Sequence, residues 1–262
     1  MSQSFVPRVG GILSADIAVP EHERELQFYS RVLSTGDEPL WREDLMNNLG
    51  LPVIGLGPRT AAYDHLPLQW MPHIQVADVA TSVARGLELG ASELAHGKDG
   101  AGNSQWAALL DPNGAAFGII PVVPGEMIPP AASDGSVGSV GHIAWVDLTV
   151  PDAPSTRDFY QQVVGWSVED VAMTDSGESY SDYNMLGGDG KAAAGVCHAR
   201  GGNDGLPPVW MIYLPVGDVG ESLRRVEDEG GEVLKSATGA DGAYSYAVIQ
   251  DPMGVFFALV PG

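Results

Sequence analysis

This 262-residue chain holds one cysteine, six histidines, and 34 acidic against 13 basic residues. Cys197 stands beside His198, a pairing that would suit a nucleophile and its base. Spacing supplies no acid partner, however, and a lone cysteine more often packs as a small buried residue. Imidazole and carboxylate remain as the groups suited to proton transfer near neutral pH. His73, Asp16 and Asp147 all lie in strand-like segments. The glycine-rich runs, such as GGDGKAAAG, lack the spacing of a phosphate loop. Six large aromatic residues, Trp70, Trp106, Trp145, Trp210, Tyr213 and Tyr246, also fall on expected strands. They provide the walls of an apolar site rather than a charged one.

The elements that position these groups follow from a duplication. Residues 51–121 align without a gap on residues 191–261, and 20 of the 71 positions are identical. Leu66-Pro67, Trp70-Met71, Asp78-Val79, Gly90, Asp111-Pro112, Gly114 and Phe117 each find their match 140 residues later. The front ends match at an offset of 131: Asp16, Val19-Pro20 and Phe28-Tyr29 fall on Asp147, Val150-Pro151 and Phe159-Tyr160. The second copy therefore carries nine extra residues (140 − 131) between its first helix and its fourth strand. A repeat this long predicts two duplicated domains, not a solenoid.

Within each half the spacing predicts strand, helix and about three strands, twice over. Residues 11–20 are strand-like, and 21–33 have apolar residues at helical spacing. Residues 70–77 predict a strand, Asp78 caps a helix through about Leu89, and Gly90 stops it. Strands at 105–110 and 115–121 flank an Asp-Pro-Asn-Gly turn. The second half repeats this with a strand at His142–Val150, a helix at Ala153–Val164, a strand at Trp210–Val216 and a helix at Asp218–Glu229. The expected division is 1–122, a Pro/Gly/Ser-rich linker at 123–139, and 140–262. The overall class is α+β, with four βαβββ units forming two tandem cup-shaped half-barrels.

The order and duplication of these pieces resemble the vicinal oxygen chelate superfamily of glyoxalase I, bleomycin-resistance proteins, fosfomycin-modifying enzymes and extradiol dioxygenases. The carrying pieces are Val-Pro-acid steps before a Phe-Tyr helix (19–29, 150–160), strand-Asp-helix-Gly units (70–90, 210–230) and Asp-Pro-X-Gly hairpins. The resemblance implies ligands bound inside each cup. It also places the family's metal ligands at Ser14, Met71 and Gly118 in the first half and Trp145, Met211 and Ala258 in the second. None of these is a usual metal ligand, so the expectation is no family-type metal and no cofactor.

Side chains alternate along a strand, so Asp16 and His73 would face the first cup two residues beyond Ser14 and Met71. Asp147 and Tyr213 hold the same places in the second. If the units pair within a half, Asp16 meets His73; if outer units pair with inner ones, Asp147 does. The expected catalytic groups are His73, Asp16 and Asp147. The expected ligand-lining groups are Trp145, Tyr213, Met71, Met211, Ser14 and Gln75, with His65, His198 and Arg200 at the cup mouths. Arg200 would meet a ligand carboxylate or phenolate. Trp70 and Trp210, one residue out of phase, are expected to pack behind the sheets.

The resulting expectation is a metal-independent enzyme that dehydrates, cyclises or isomerises a hydrophobic aromatic or polyketide-like molecule by acid–base chemistry. The rivals are a drug-sequestering protein, a metal enzyme with displaced ligands, and a structural role with one degenerate cup. A net charge of −21 argues against nucleic acid and anionic membranes as partners. MSQSFVPRVGG reads as no secretory signal, and no apolar stretch is long enough to span a bilayer. The expected location is the cytoplasm, as monomer or homodimer.

Overall fold

A computed structural model of the chain describes residues 7–41, 54–127 and 141–262. The first half carries β1 (Ile12–Val19), α1 (His22–Leu33), β2 (Ile54–Pro58), β3 (Met71–Val76), α2 (Val79–Glu88), β4 (Ser92–Lys98), β5 (Ser104–Leu110) and β6 (Ala116–Pro121). The second carries β7 (Trp145–Val150), α3 (Ala153–Val164), β8 (Ser167–Asp175), β9 (Glu178–Leu186), β10 (Ala192–His198), β11 (Trp210–Val216), α4 (Val219–Asp228), β12 (Glu232–Thr238), β13 (Tyr244–Gln250) and β14 (Phe256–Pro261). The expected strand from His142 starts three residues later, at Trp145. Most of the expected linker lies outside the described residues; Gly125–Met127 form a short 3-10 turn. The nine extra residues of the second copy fall between α3 and β10, where β8 and β9 form a long hairpin.

Local chemistry explains the helix boundaries. The side chains of Asp78, Asp152 and Asp218 accept from the backbone N–H three residues on, at 2.7, 3.1 and 2.8 Å, capping α2, α3 and α4. Gly165 takes φ +89° after α3, a left-handed conformation that glycine adopts without a Cβ clash. In both Asp-Pro-X-Gly hairpins the aspartate folds back on its own turn. Asp111 accepts from the N–H of Asn113 and Ala115, Asp251 from that of Met253 and Val255, all at 2.8–2.9 Å.

The strands form two sheets, ordered β2-β1-β3-β6-β5-β4 and β12-β13-β14-β11-β7-β10-β9-β8. In each, the outer strands of the two units meet antiparallel: β1 with β3, β7 with β11. Units therefore pair within a half, and the crossed pairing that would set Asp147 against His73 does not occur.

Helices from the two halves pack against one another, α1 on α4 and α2 on α3. The helix-side faces of both sheets join in one apolar core. Two matching relays cross this joint. Trp70 donates its indole N–H to the Tyr29 hydroxyl (3.0 Å), which donates to Asp251 (2.9 Å). Trp210 donates to Tyr160 (2.9 Å), which donates to Asp111 (3.1 Å). Each relay runs from one sheet to the hairpin of the other half, and all six residues are buried. Trp70 and Trp210 thus pack behind the sheets, as their phase implied.

The joint has one asymmetry. Beside Asp111, Asn113 donates to Thr156 and to Asp111 itself. At the matching places stand Met253 and Glu25. Glu25 is fully buried, neither carboxyl oxygen meets a donor, and the carboxyl lies against Asp251. Burial first, then the Asp251 charge, pushes Glu25 up to about 8, so at neutral pH it sits there as the uncharged acid.

Candidate functional site

The faces turned away from the helices form the two cups. In the first, register sets Ser14 opposite His73 and Asp16 opposite Met71. The Ser14 hydroxyl lies 2.9 Å from His73 Nδ1, and Asp16 Oδ2 lies 3.6 Å from Nε2. A hydroxyl can donate or accept, so the ring can gain or lose a proton at Nε2 without losing Ser14. His73 also pairs across to Gly118 on β6. A Cβ at Gly118 would come within 2.6 Å of the ring, so the imidazole occupies space that only glycine leaves open. Burial lowers the His73 pKa, and the Asp16 carboxylate partly opposes this. The imidazole is therefore neutral at neutral pH, as a proton acceptor should be. Its side chain is 23 % exposed and that of Asp16 44 %, so both remain reachable.

Around this pair the lining is apolar. Leu66, Met71, Ala108 and Ala116 form a separate small cluster flanked by Leu94, Ala95 and Leu110. Leu66 is carried by the 59–69 loop, which is tied down on both sides. Arg59 donates to the carbonyls of Asp64 and Leu66, and His65 Nε2 bonds the carbonyl of Leu94 at 2.9 Å. Trp106 stands over Gly97 and is 46 % exposed. It lies two residues before Ala108, so it flanks the same face. Gln75 shares the His73 face but is fully buried; its amide donates to the Gly11 carbonyl and accepts from the Val123 N–H. The expectation that Gln75 offers itself to a ligand is corrected: it fastens the strand ends.

The second cup is built differently. Trp145 lies opposite Tyr213, Asp147 opposite Met211 on one side and Gly195 on the other. Trp145 donates its indole N–H to Asp147, and Tyr213 also bonds it. Burial raises Asp147 to about 6, against the pull of those two bonds. Tyr213 is pushed up by burial and by the Asp147 charge. Met211, Val248 and Ala258 form the floor, with Leu206, Tyr213, Tyr246 and Phe256 only partly covered around it. The Cys197 thiol is pushed well up by burial and by Asp147 and Asp182, so it stays protonated and is not a nucleophile at neutral pH.

At the end of β10, His198 is held by Asp182. One carboxylate oxygen accepts from the His198 N–H at 2.8 Å and lies 3.0 Å from Nδ1. Arg200 is already paired with Glu178 at 3.1 Å and Asp175 at 3.5 Å, and stacks on Tyr180. The expected role of Arg200 as a free anion anchor is thereby corrected. Asp182 escaped the sequence reading because β8–β9 lies in the stretch where the two copies differ in length, so the repeat gives it no matching residue. Its signal was the alternation Asp182, Tyr183, Asn184, Met185. Trp106 and Leu66 carried weaker signals, phase with Ala108 and a match in the repeat.

The family's cation does not fit these side chains. Its expected positions hold Ser14, Met71 and Gly118, and Trp145, Met211 and Ala258. The His73 ring fills the space at Gly118, and Trp145 engages Asp147. Among the described residues no three His, Cys, Asp or Glu side chains converge.

Two paired cups with apolar walls and few central polar groups make up the molecule. The chain belongs to the Glyoxalase/Bleomycin resistance protein/Dioxygenase superfamily: residues 140–259 match that family and residues 14–120 match the glyoxalase-like domain. It is 33 % identical over 131 residues to anthracycline biosynthesis protein DnrV of Streptomyces peucetius, covering 45 % of this chain and 46 % of that one. It is 32 % identical over 116 residues to the putative glyoxylase CFP32 of Mycobacterium tuberculosis, covering 44 % and 43 %. The chain thus aligns with less than half the length of these relatives. Among solved structures it resembles a variant of homoprotocatechuate 2,3-dioxygenase from Brevibacterium fuscum (TM-score 0.56, 16 % identity, 100 % and 74 % covered). It also resembles a variant of 4-hydroxymandelate synthase from Streptomyces coelicolor (TM-score 0.54, 12 % identity, 97 % and 93 % covered). At these identities the likeness is one of fold. Among the described residues no helix is long and apolar enough to cross a membrane.

Proposed function

We propose that this protein is an acid–base enzyme acting on a flat, hydrophobic small molecule of secondary metabolism, with His73 as its proton-transfer group. The carrying observation is a neutral imidazole braced by Ser14 and facing Asp16 inside an apolar cup. A substrate proton passes to Nε2, and Asp16 stabilises the imidazolium that forms. Apolar walls hold the substrate flat and keep water from the reacting atoms. Enolisation, dehydration and ring closure all need such a step, and the chain's own side chains supply it. The description of two relatives as anthracycline biosynthesis proteins supports a substrate of the secondary-metabolite class.

The test is turnover of polycyclic phenols and ketones by the full chain and by His73→Gln. The variant should lose about 10²–10⁴-fold in kcat while its thermal midpoint stays close to that of the parent. Because the neutral ring is the active form, activity should fall on acidification, with a midpoint below the ordinary imidazole range. Full activity in His73→Gln would overturn the assignment. A parent that binds these compounds but turns none over would favour sequestration, a reading the aromatic lining of the second cup also suits.

A further inference from the structure

Glu93, His96 and Ser104 form a second group able to move protons, and the chemistry proposed for the first cup does not use it. His96 Nδ1 lies 3.0 Å from Glu93 Oε2, and Nε2 lies 2.8 Å from the Ser104 hydroxyl. With Nδ1–H donated to Glu93, Nε2 keeps its lone pair and accepts the Ser104 proton. Hydroxyl, imidazole and carboxylate thus stand in the order of a nucleophile, its base and the group that orients the base. The His96 side chain is 10 % exposed and that of Glu93 40 %, and Ser104 is half-buried. The ring is shielded while the hydroxyl stays reachable.

The trio lies outside the cup. On β4, the outermost strand of its sheet, Glu93 pairs with Leu109, His96 with Ala107 and Lys98 with Ser104. Ala107 and Leu109 belong to the main core, whereas Ala108 belongs to the first cup, so the trio stands on the helix-side face. Lys98 shares that face opposite Ser104; it is exposed and, among the described residues, has no carboxylate partner. The second half supplies a control. β12 and β13 pair in the same register with the same two irregularities, yet Val233, Ser236, Thr238 and Tyr244 occupy the four places. The hairpin therefore forms without these bonds, and its folding does not account for them.

We propose that Ser104 is the nucleophile of an esterase-type site for small neutral acyl esters, with His96 as its base and Glu93 as the positioning residue. Ser104 Oγ bonds to the ester carbonyl carbon as its proton passes to His96 Nε2. The ester C–O bond then breaks, and the leaving alcohol takes that proton. Water next gives a proton to His96 Nε2 and attacks the acyl-serine; the acid departs and Ser104 Oγ regains the proton. The net change is ester and water to acid and alcohol. Lys98 faces the negative charge that develops on the carbonyl oxygen. An open sheet edge does not enclose a long chain, which favours short acyl groups, and the net charge of −21 disfavours anionic esters. The site is independent of the proton transfer assigned to His73.

The test is hydrolysis of 4-nitrophenyl acetate by the full chain carrying His73→Gln, which removes the first-cup imidazole from the reaction. Nitrophenolate should be released with turnover, and peptide mass spectrometry of the quenched protein should find the acetyl group on Ser104. Adding Ser104→Ala or His96→Gln should lower kcat about 10²–10⁴-fold, and free imidazole should partly restore the His96→Gln protein but not the Ser104→Ala one. Glu93→Gln should lower kcat by at least about tenfold with KM unchanged, since it acts only through the ring. Thermal midpoints should stay near that of the parent, as the β12–β13 hairpin implies. Acetylation confined to other residues, an unchanged rate in Ser104→Ala, or a loss in His96→Gln that imidazole does not restore would overturn the proposal. None of these outcomes bears on the first cup.

Discussion

At matching places in the two cups stand Ser14 and Trp145, His73 and Tyr213, Gly118 and Ala258, Trp106 and Tyr246. At matching places in the joint stand Tyr29 and Tyr160, Trp70 and Trp210, Asp111 and Asp251, in two relays of nearly equal geometry. The joint keeps its letters because each relay joins buried polar groups of both halves, and a buried donor or acceptor left alone is costly. The cups face solvent or ligand, so nothing in the fold requires their residues to match. The first became a small apolar cup around an imidazole, the second a ring-lined cup around a protonatable Asp147. Asp16 and Asp147 are the charged groups that repeat at the cup centres, with Met71 and Met211 opposite them. Even these differ: Asp16 faces an imidazole, whereas Asp147 is bonded by two rings.

The sharpest way to break this comparison is to cut the relays. Trp210→Ala and Trp70→Ala should each cost about 3–5 kcal/mol of unfolding free energy, and about the same as each other, as measured by denaturant titration. A difference above about 1.5 kcal/mol would show that the joint is not duplicated energetically.

Next comes its one asymmetry. Glu25 has a folded pKa raised to about 8. Its stabilising contribution is thus fully present below the ordinary glutamate range and is lost as pH rises toward about 8. The whole protein should lose on the order of a few kcal/mol over that window, since each pKa unit is about 1.4 kcal/mol. Glu25→Gln, which still offers a donor to Asp251, should flatten the slope and be the more stable protein at pH 9. An unchanged slope in the variant would show that Glu25 is ionised in the fold.

Smaller again is Tyr160→Phe. It removes one hydroxyl from between Trp210 and Asp111 and should cost about 1–3 kcal/mol. Tyr29→Phe should cost a similar amount near pH 6 and diverge from Tyr160→Phe above pH 8, where Glu25 also ionises beside Asp251. Parallel pH profiles for the two variants would remove the asymmetry.

The repeat made the fold legible. Helix caps at Asp78, Asp152 and Asp218, the Asp-Pro-X-Gly hairpins and the alternation of strand residues are local signals, and each became the element its spacing implied. Asp16 beside His73 was legible as one of two pairings, because strand phase says which face a side chain takes and not which strand lies beside it. Leu66 over the first cup depends on how a loop folds back, and the Asp182–His198 contact on how the β8–β9 hairpin seats against β10. The cross-domain relays were visible as repeated letters, but nothing local links Tyr29 to Asp251 across 222 residues. Short-range sterics and hydrogen bonding determine the units from sequence. Which unit pairs with which and which polar groups are buried together were decided by long-range packing, because those contacts form only once the two halves close on one core.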